Sequence, residues 1–186
     1  FGSPEGLKQA LNEGAAGVQA GTAFALCRES GLLPEVRHEL VRDVLAGKTR
    51  VFTDPQASPT GFPFKVADLA GSLSEESVYQ HRRRVCDIGF LRQPYRRPDG
   101  KFGYRCPAEP IAAYVAKGGR EEDAIGSKCL CNALAANIGM PQHLSDGTSE
   151  KCLVTMGDDL AGIGRFCSPE STDYSAADVI RVMLNA

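Results

Sequence analysis

The 186-residue chain is 42% apolar and carries a net charge of -2, which is enough apolar material for a sizeable core and no general pull toward nucleic acid or acidic membranes. No apolar run reaches the roughly eighteen residues of a membrane span and no basic-then-apolar leader is visible, so a folded, soluble, cytoplasmic protein without membrane contact is expected. Seven cysteines, an odd number at irregular spacings, read as reduced thiols rather than a secreted disulfide framework.

Along the chain, Ser3 is a suitable N-cap and Pro4 suits the first helical position. Leu7, Ala10 and Leu11 form a stripe that Gly14 ends. "AAGVQAG" has no charge and is bounded by glycine, which predicts a short, fully buried strand. A second helix is expected after Thr22. A third opens at Pro34, with Val36, Leu40, Val41, Val44 and Leu45 on one face and Gly47 as terminator.

Beyond Gly47 the regular alternation stops. Residues 50–69, "RVFTDPQASPTGFPFKVADL", hold three of the eleven prolines yet are too apolar at Phe62, Phe64 and Val66 for a disordered linker. "SEESVYQHRRRV" predicts a helix started by Ser74, and "RRPDGKFGYR" a hairpin around Pro98-Asp99-Gly100. "PIAAYVAKGG" and "KCLCNALAANIG" read as glycine-terminated helices, "KCLVTMG" as a strand, and "SAADVIRVMLNA" as a closing helix capped by Ser175. The expected domains are 1–47, two βα units, and 48–186, an irregular, mainly helical and loop extension.

A strand that ends in Gly21-Thr22 and runs into a helix leaves backbone N–H groups free to meet an anion, and Gly2-Ser3 repeats this chemistry one unit earlier. Two such loops separated by one helix are what the phosphate site near the last strands of a (β/α)8 barrel requires. Turn formation and helix capping explain the same glycines without any ligand.

The longer string "FGSPEGLKQALNEGAAGVQAGTAF" resembles the last two units of the FMN-binding barrel of the nitronate monooxygenase family, formerly 2-nitropropane dioxygenases. "ASPTGFPFKVA", "GYRCPAEPIAAYVAKGG", "KCLCNALAANIG" and "LVTMGDDL" resemble the C-terminal region of one branch of that family. The resemblance implies an α/β fold: the C-terminal units of a TIM (β/α)8 barrel, completed by sequence outside this chain, with the irregular extension packed on them. It implies FMN as cofactor. The backbone at Gly21 and Thr22 would hold the phosphate, Gln19 and Ala20 would lie beside the cofactor, and Gly2 would contribute from the preceding loop.

The implied activity is FMN-dependent oxidation of an alkyl nitronate or nitroalkane by O2 to a carbonyl compound and nitrite. The N-terminal part of the same barrel would be the partner of these residues and would supply the catalytic base. His38, His81 and His143 lie outside the matching motifs, so no catalytic residue is assigned. Alternatives on the same scaffold are an NAD(P)H-dependent enoyl-thioester reductase and, from another class, a non-catalytic binding module. The loop at residues 54–66, with Thr60, Gly61, Phe62 and Phe64, reads either as a lid over the flavin or substrate or as an apolar strap on the barrel's side.

Two further groupings have plainer readings. Cys86, Cys106, Cys129 and Cys131 could ligate a metal, but the spacing departs from the usual pair-and-pair pattern and a C-x-C pair on a helix diverges. Buried thiols are preferred and no metal is assigned. Between Arg82 and Arg105, eight basic residues interleave with Phe90, Tyr95, Phe102 and Tyr104, as on an RNA-binding surface. A solvated face, or ion pairing with Glu121, Glu122 and Asp123, is preferred, and no nucleic-acid partner is assigned.

Overall fold

The computed structural model describes residues 2–168 and 170–184. In chain order its elements are helices α1 (Pro4–Asn12), α2 (Thr22–Ala25) and α3 (Pro34–Leu45), strands β1 (Val51–Asp54) and β2 (Phe64–Ala67), and α4 (Glu76–Gln80). Strands β3 (Gln93–Arg96) and β4 (Phe102–Arg105) follow, then α5 (Ile111–Ala116), α6 (Leu130–Ala136) and α7 (Ala176–Leu184), with short 3-10 turns between them. The fold is mixed α/β, its strands forming two two-stranded sheets, β1 with β2 and β3 antiparallel to β4. Among the described residues no helix is long and apolar enough to cross a membrane.

The chain divides into two compact units, Phe1–Val51 with Met156–Ala186, and Phe52–Thr155. The C-terminal stretch belongs with the opening helices rather than with the extension.

In the first unit, α1 begins as its sequence dictates: the Ser3 hydroxyl accepts from the Gly6 N–H at 3.0 Å and Pro4 occupies the first turn. Helix α7 has a reciprocal cap, with Ser175 Oγ accepting from the Asp178 N–H at 3.1 Å and Asp178 Oδ2 accepting from the Ser175 N–H at 2.8 Å. It packs against α1, α2 and the 3-10 turn Ile163–Phe166, which also meets α3. On α3 the buried side chains are Leu40, Val41 and, unexpectedly, Arg37, whose guanidinium pairs with Asp173.

The strand expected over residues 15–21 is not formed. Ala15, Ala16, Gly17, Gln19 and Gly21 are exposed, Val18 and Ala20 half-buried, and the segment enters no sheet. A strand exists only through the partner it bonds to, and no described segment offers these residues an edge.

The second unit packs Ala57, Val66, Leu73, Leu130, Ala133 and Leu153 into one core, with Phe52, Phe64, Val78, Leu91 and Leu134 around it. "KCLVTMG" forms an extended segment rather than a full strand: Thr155 bridges Val66, and the Ala67 N–H donates to the Val154 carbonyl at 3.0 Å. The β3–β4 hairpin turns at the expected Pro98-Asp99-Gly100, with Gly100 at φ +79°, a region that favours glycine. Ser74 does not cap α4. Its hydroxyl accepts from the Leu69 N–H at 3.0 Å, and Glu75 takes the cap position.

The basic stretch is largely absorbed by the second unit's own structure. Arg82 is buried against Glu150, and Arg84 donates to the Pro107 and Ala124 carbonyls. Arg105 donates to the Lys117 carbonyl and lies over Tyr95 and Tyr114. The expected pairing with the acidic triplet does not occur at Asp123, which pairs with Arg120.

Candidate functional site

Gly2, Gln19, Ala20, Gly21 and Thr22 line one cleft of about 200 Å³ in the first unit, together with Ala23, Asp159, Gly162, Ile163 and Phe166. Its polar end is the start of α2. Gly21 is the N-cap, no side chain caps the helix, and the amides of the first turn have no acceptor within the helix. Ile163 and Phe166, both buried, form the apolar wall.

Two close approaches hold this arrangement. A Cβ on Gly157 would stand 2.6 Å from the Thr22 hydroxyl oxygen, so only glycine lets that segment lie against buried Thr22. A Cβ on Gly2 would overlap the Asp159 carboxylate, so the opening loop and the "GDDL" turn meet through glycine as well. Asp159 thus brings a negative charge to the cleft. The Arg165 guanidinium brings a positive one beside Gly162, where an added Cβ would be 2.8 Å from Nη2.

Sequence alone does not place Asp159, Gly162, Ile163 and Phe166 at a site, although "LVTMGDDL" carries part of the family likeness. Their only local signal was the glycine-rich spacing of "GDDLAGIGRF". The fact that they face Gly2 and Gly21 is tertiary.

The four residues of the lid reading belong to the second unit. Thr60 and Gly61 line a separate cavity of about 450 Å³ with Gln56, Ser58, Gln93 and Tyr114. Phe62 is 59% exposed, and its ring meets that of Phe64 edge-on at 4.9 Å. Phe64 itself packs against the second unit's core. Phe62→Ala should therefore change stability by less than about 0.5 kcal/mol, whereas Phe64→Ala should cost roughly 2–4 kcal/mol because part of that core contact is lost. Urea unfolding of the two variants checks this, and a larger loss for Phe62→Ala would mean that its ring is covered.

Among the described residues no histidine lines the cleft. His38 lies 3.6 Å from Asp173, His81 Nδ1 is 2.7 Å from the Ser77 carbonyl, and His143 Nδ1 is 2.9 Å from Ser149 Oγ. No family model, curated protein or solved structure matches this chain.

Proposed function

We propose that the chain is the phosphate-holding part of a cytoplasmic FMN-dependent oxidoreductase of the nitronate monooxygenase type. The observation that supports this reading is the convergence of Gly2 with Gln19, Ala20, Gly21 and Thr22 on one cleft, although a helix separates them in sequence. The amides at Gly21 and Thr22 would hold the phosphate, Gln19 would hydrogen-bond the adjoining part of the cofactor, and Ile163 and Phe166 would keep water from the anion's flank.

A cleft of about 200 Å³ lies below the roughly 300–1,000 Å³ of ordinary ligand sites, so it suits the phosphate end and not the whole cofactor. Bound FMN supplies the redox chemistry, which takes an alkyl nitronate and O2 to a carbonyl compound and nitrite. The uncharged, mostly exposed segment at residues 15–21 is where strands from the rest of a barrel would pair, and that part would bring the catalytic base.

Among the described residues lining the cleft, the Asp159 carboxylate is the one group of unfavourable sign. Asp159→Asn should tighten FMN binding about two- to fivefold, a gain of the size that one solvent-exposed charge provides. Quenching of flavin fluorescence during titration measures this, with inorganic phosphate as competitor. A protein that takes up no FMN, or an affinity that phosphate and Asp159→Asn leave unchanged, would reject the reading. Turnover of an alkyl nitronate with and without NADH then separates the monooxygenase from the reductase.

A further inference from the structure

The second unit holds a cavity whose lining comes from two stretches of chain: residues 77–83, "SVYQHRR", in and after α4, and residues 144–151, "LSDGTSEK". The second stretch is a closed turn. His143 and Ser149 bridge antiparallel, the Leu144 N–H donates to the Thr148 carbonyl at 2.8 Å, and Gly147 at φ +82° completes the reversal. The Glu150 N–H donates to the Gln142 carbonyl at 2.9 Å, and the buried Glu150 carboxylate holds Arg82, which ties the turn to the residues that follow α4. The cavity is thus built by the fold itself. At about 470 Å³ it falls within the roughly 300–1,000 Å³ of small-molecule sites.

Its charges are almost matched among themselves. Arg82 pairs with Glu150, both side chains buried. Asp146 Oδ1 accepts from the Thr148 hydroxyl at 2.6 Å and the Thr148 N–H at 2.9 Å, and Oδ2 accepts from Arg83 Nη1 at 3.0 Å. Those bonds hold the Asp146 pKa down to about 2, so it stays a carboxylate and stays matched to Arg83. His81 donates from Nδ1 to the Ser77 carbonyl at 2.7 Å. Lys151 is the cation left over: among the described residues its ammonium has no hydrogen bond and no ion pair. The remaining lining is mainly apolar, with Val78 from one stretch and Leu144 from the other.

A largely apolar cavity with one unmatched cation is complementary to an amphipathic ion of single negative charge. A dianion would bring a second charge with no counterpart, and a neutral apolar molecule would gain nothing from Lys151. We propose that this cavity binds a small monocarboxylate with an aliphatic or aromatic body, its carboxylate paired with Lys151 and its body against Val78 and Leu144. The site is formed by the second unit alone and is independent of flavin binding.

Hexanoate is a suitable probe, with 1-hexanol, hexylamine and inorganic phosphate as comparators, each titrated into the ¹⁵N-labelled protein. Hexanoate should shift the amides of residues 77–83 and 144–151 saturably. The alcohol should bind about tenfold more weakly, and neither the amine nor phosphate should shift these residues. Phosphate effects in the first unit would bear on the flavin reading and not on this one. Lys151→Gln should weaken hexanoate about three- to tenfold, Leu144→Ala by a similar factor, and Lys8→Gln not at all. Absence of saturation at millimolar hexanoate would overturn the proposal, as would an unchanged affinity in Lys151→Gln. Binding of 1-hexanol or phosphate at these residues as tight as that of hexanoate would also overturn it. If Leu144→Ala fails to fold, the ligand series on the unaltered protein and the exposed Lys151 variant still decide.

Discussion

Glu150→Ala should destabilise the second unit by about 3–5 kcal/mol, the loss expected when one partner of a buried ion pair is removed and the other charge is left uncompensated. Both Glu150 oxygens accept from Arg82 Nε, at 2.9 and 3.0 Å, and the two side chains are 3% and 2% exposed. Among the described residues Arg82 otherwise donates to the Ala108 carbonyl at 3.4 Å and its Nη2 has no partner, so alanine at 150 would strand a guanidinium away from water. The double replacement Arg82→Met with Glu150→Leu should recover most of the loss, because two apolar side chains remove the desolvation cost along with the attraction. The contrast between single and double variants in urea unfolding is the measurement. Equal losses would show that packing, not charge, is at stake.

The pH dependence of this pair has a definite sign. Burial, the larger influence, raises the Glu150 pKa above the ordinary carboxylate range despite the lowering pull of Arg82. The folded protein therefore holds this proton more tightly than the unfolded chain does. The stability linked to it is fully present below the unfolded value and is lost as pH rises through the raised one. Glu150→Ala should remove that downward slope from the stability curve.

The features legible in the sequence were those fixed within a few residues. Ser3 with Pro4, Ser175 with Asp178, and the Pro98-Asp99-Gly100 turn each satisfy backbone groups of their own segment, so composition announces them. Features decided by distant chain were not legible. Residues 15–21 have a strand's composition and no strand to join, and Arg37 is buried because Asp173, 136 positions away, receives its guanidinium. Ser74 had the chemistry of a cap, but Leu69 engages its hydroxyl first.

The same division runs through the candidate site. Gly21 and Thr22 could be nominated from a glycine before a helix, whereas Asp159, Gly162, Ile163 and Phe166 reach the cleft only because the C-terminal stretch folds back into the first unit. Phe62 and Phe64 looked alike as apolar lid residues. Their difference is a matter of burial: one ring is largely exposed and the other packs against a core.

Tyr174 links that returning stretch to the cleft, and its loss should have the second large effect. It is 1% exposed, its ring lies 5.5 Å from Phe166 in a tilted stack, and its hydroxyl donates to the Ala23 carbonyl at 2.8 Å. Phe166 and Ala23 both line the cleft, so one side chain secures the apolar wall and the helix that carries the amides. Tyr174→Ala should cost the first unit about 3–5 kcal/mol by leaving an aromatic-sized cavity. Tyr174→Phe keeps the packing but strands the Ala23 carbonyl, at a cost of about 1–3 kcal/mol. If Tyr174 also sets the position of α2, the phenylalanine variant should weaken FMN binding at temperatures well below its own unfolding transition. Calorimetry and flavin titration on the same sample distinguish the roles. Unchanged FMN affinity with a lowered transition would confine Tyr174 to stability, whereas a parallel loss of affinity in the folded variant would show that the hydroxyl holds the binding amides in place.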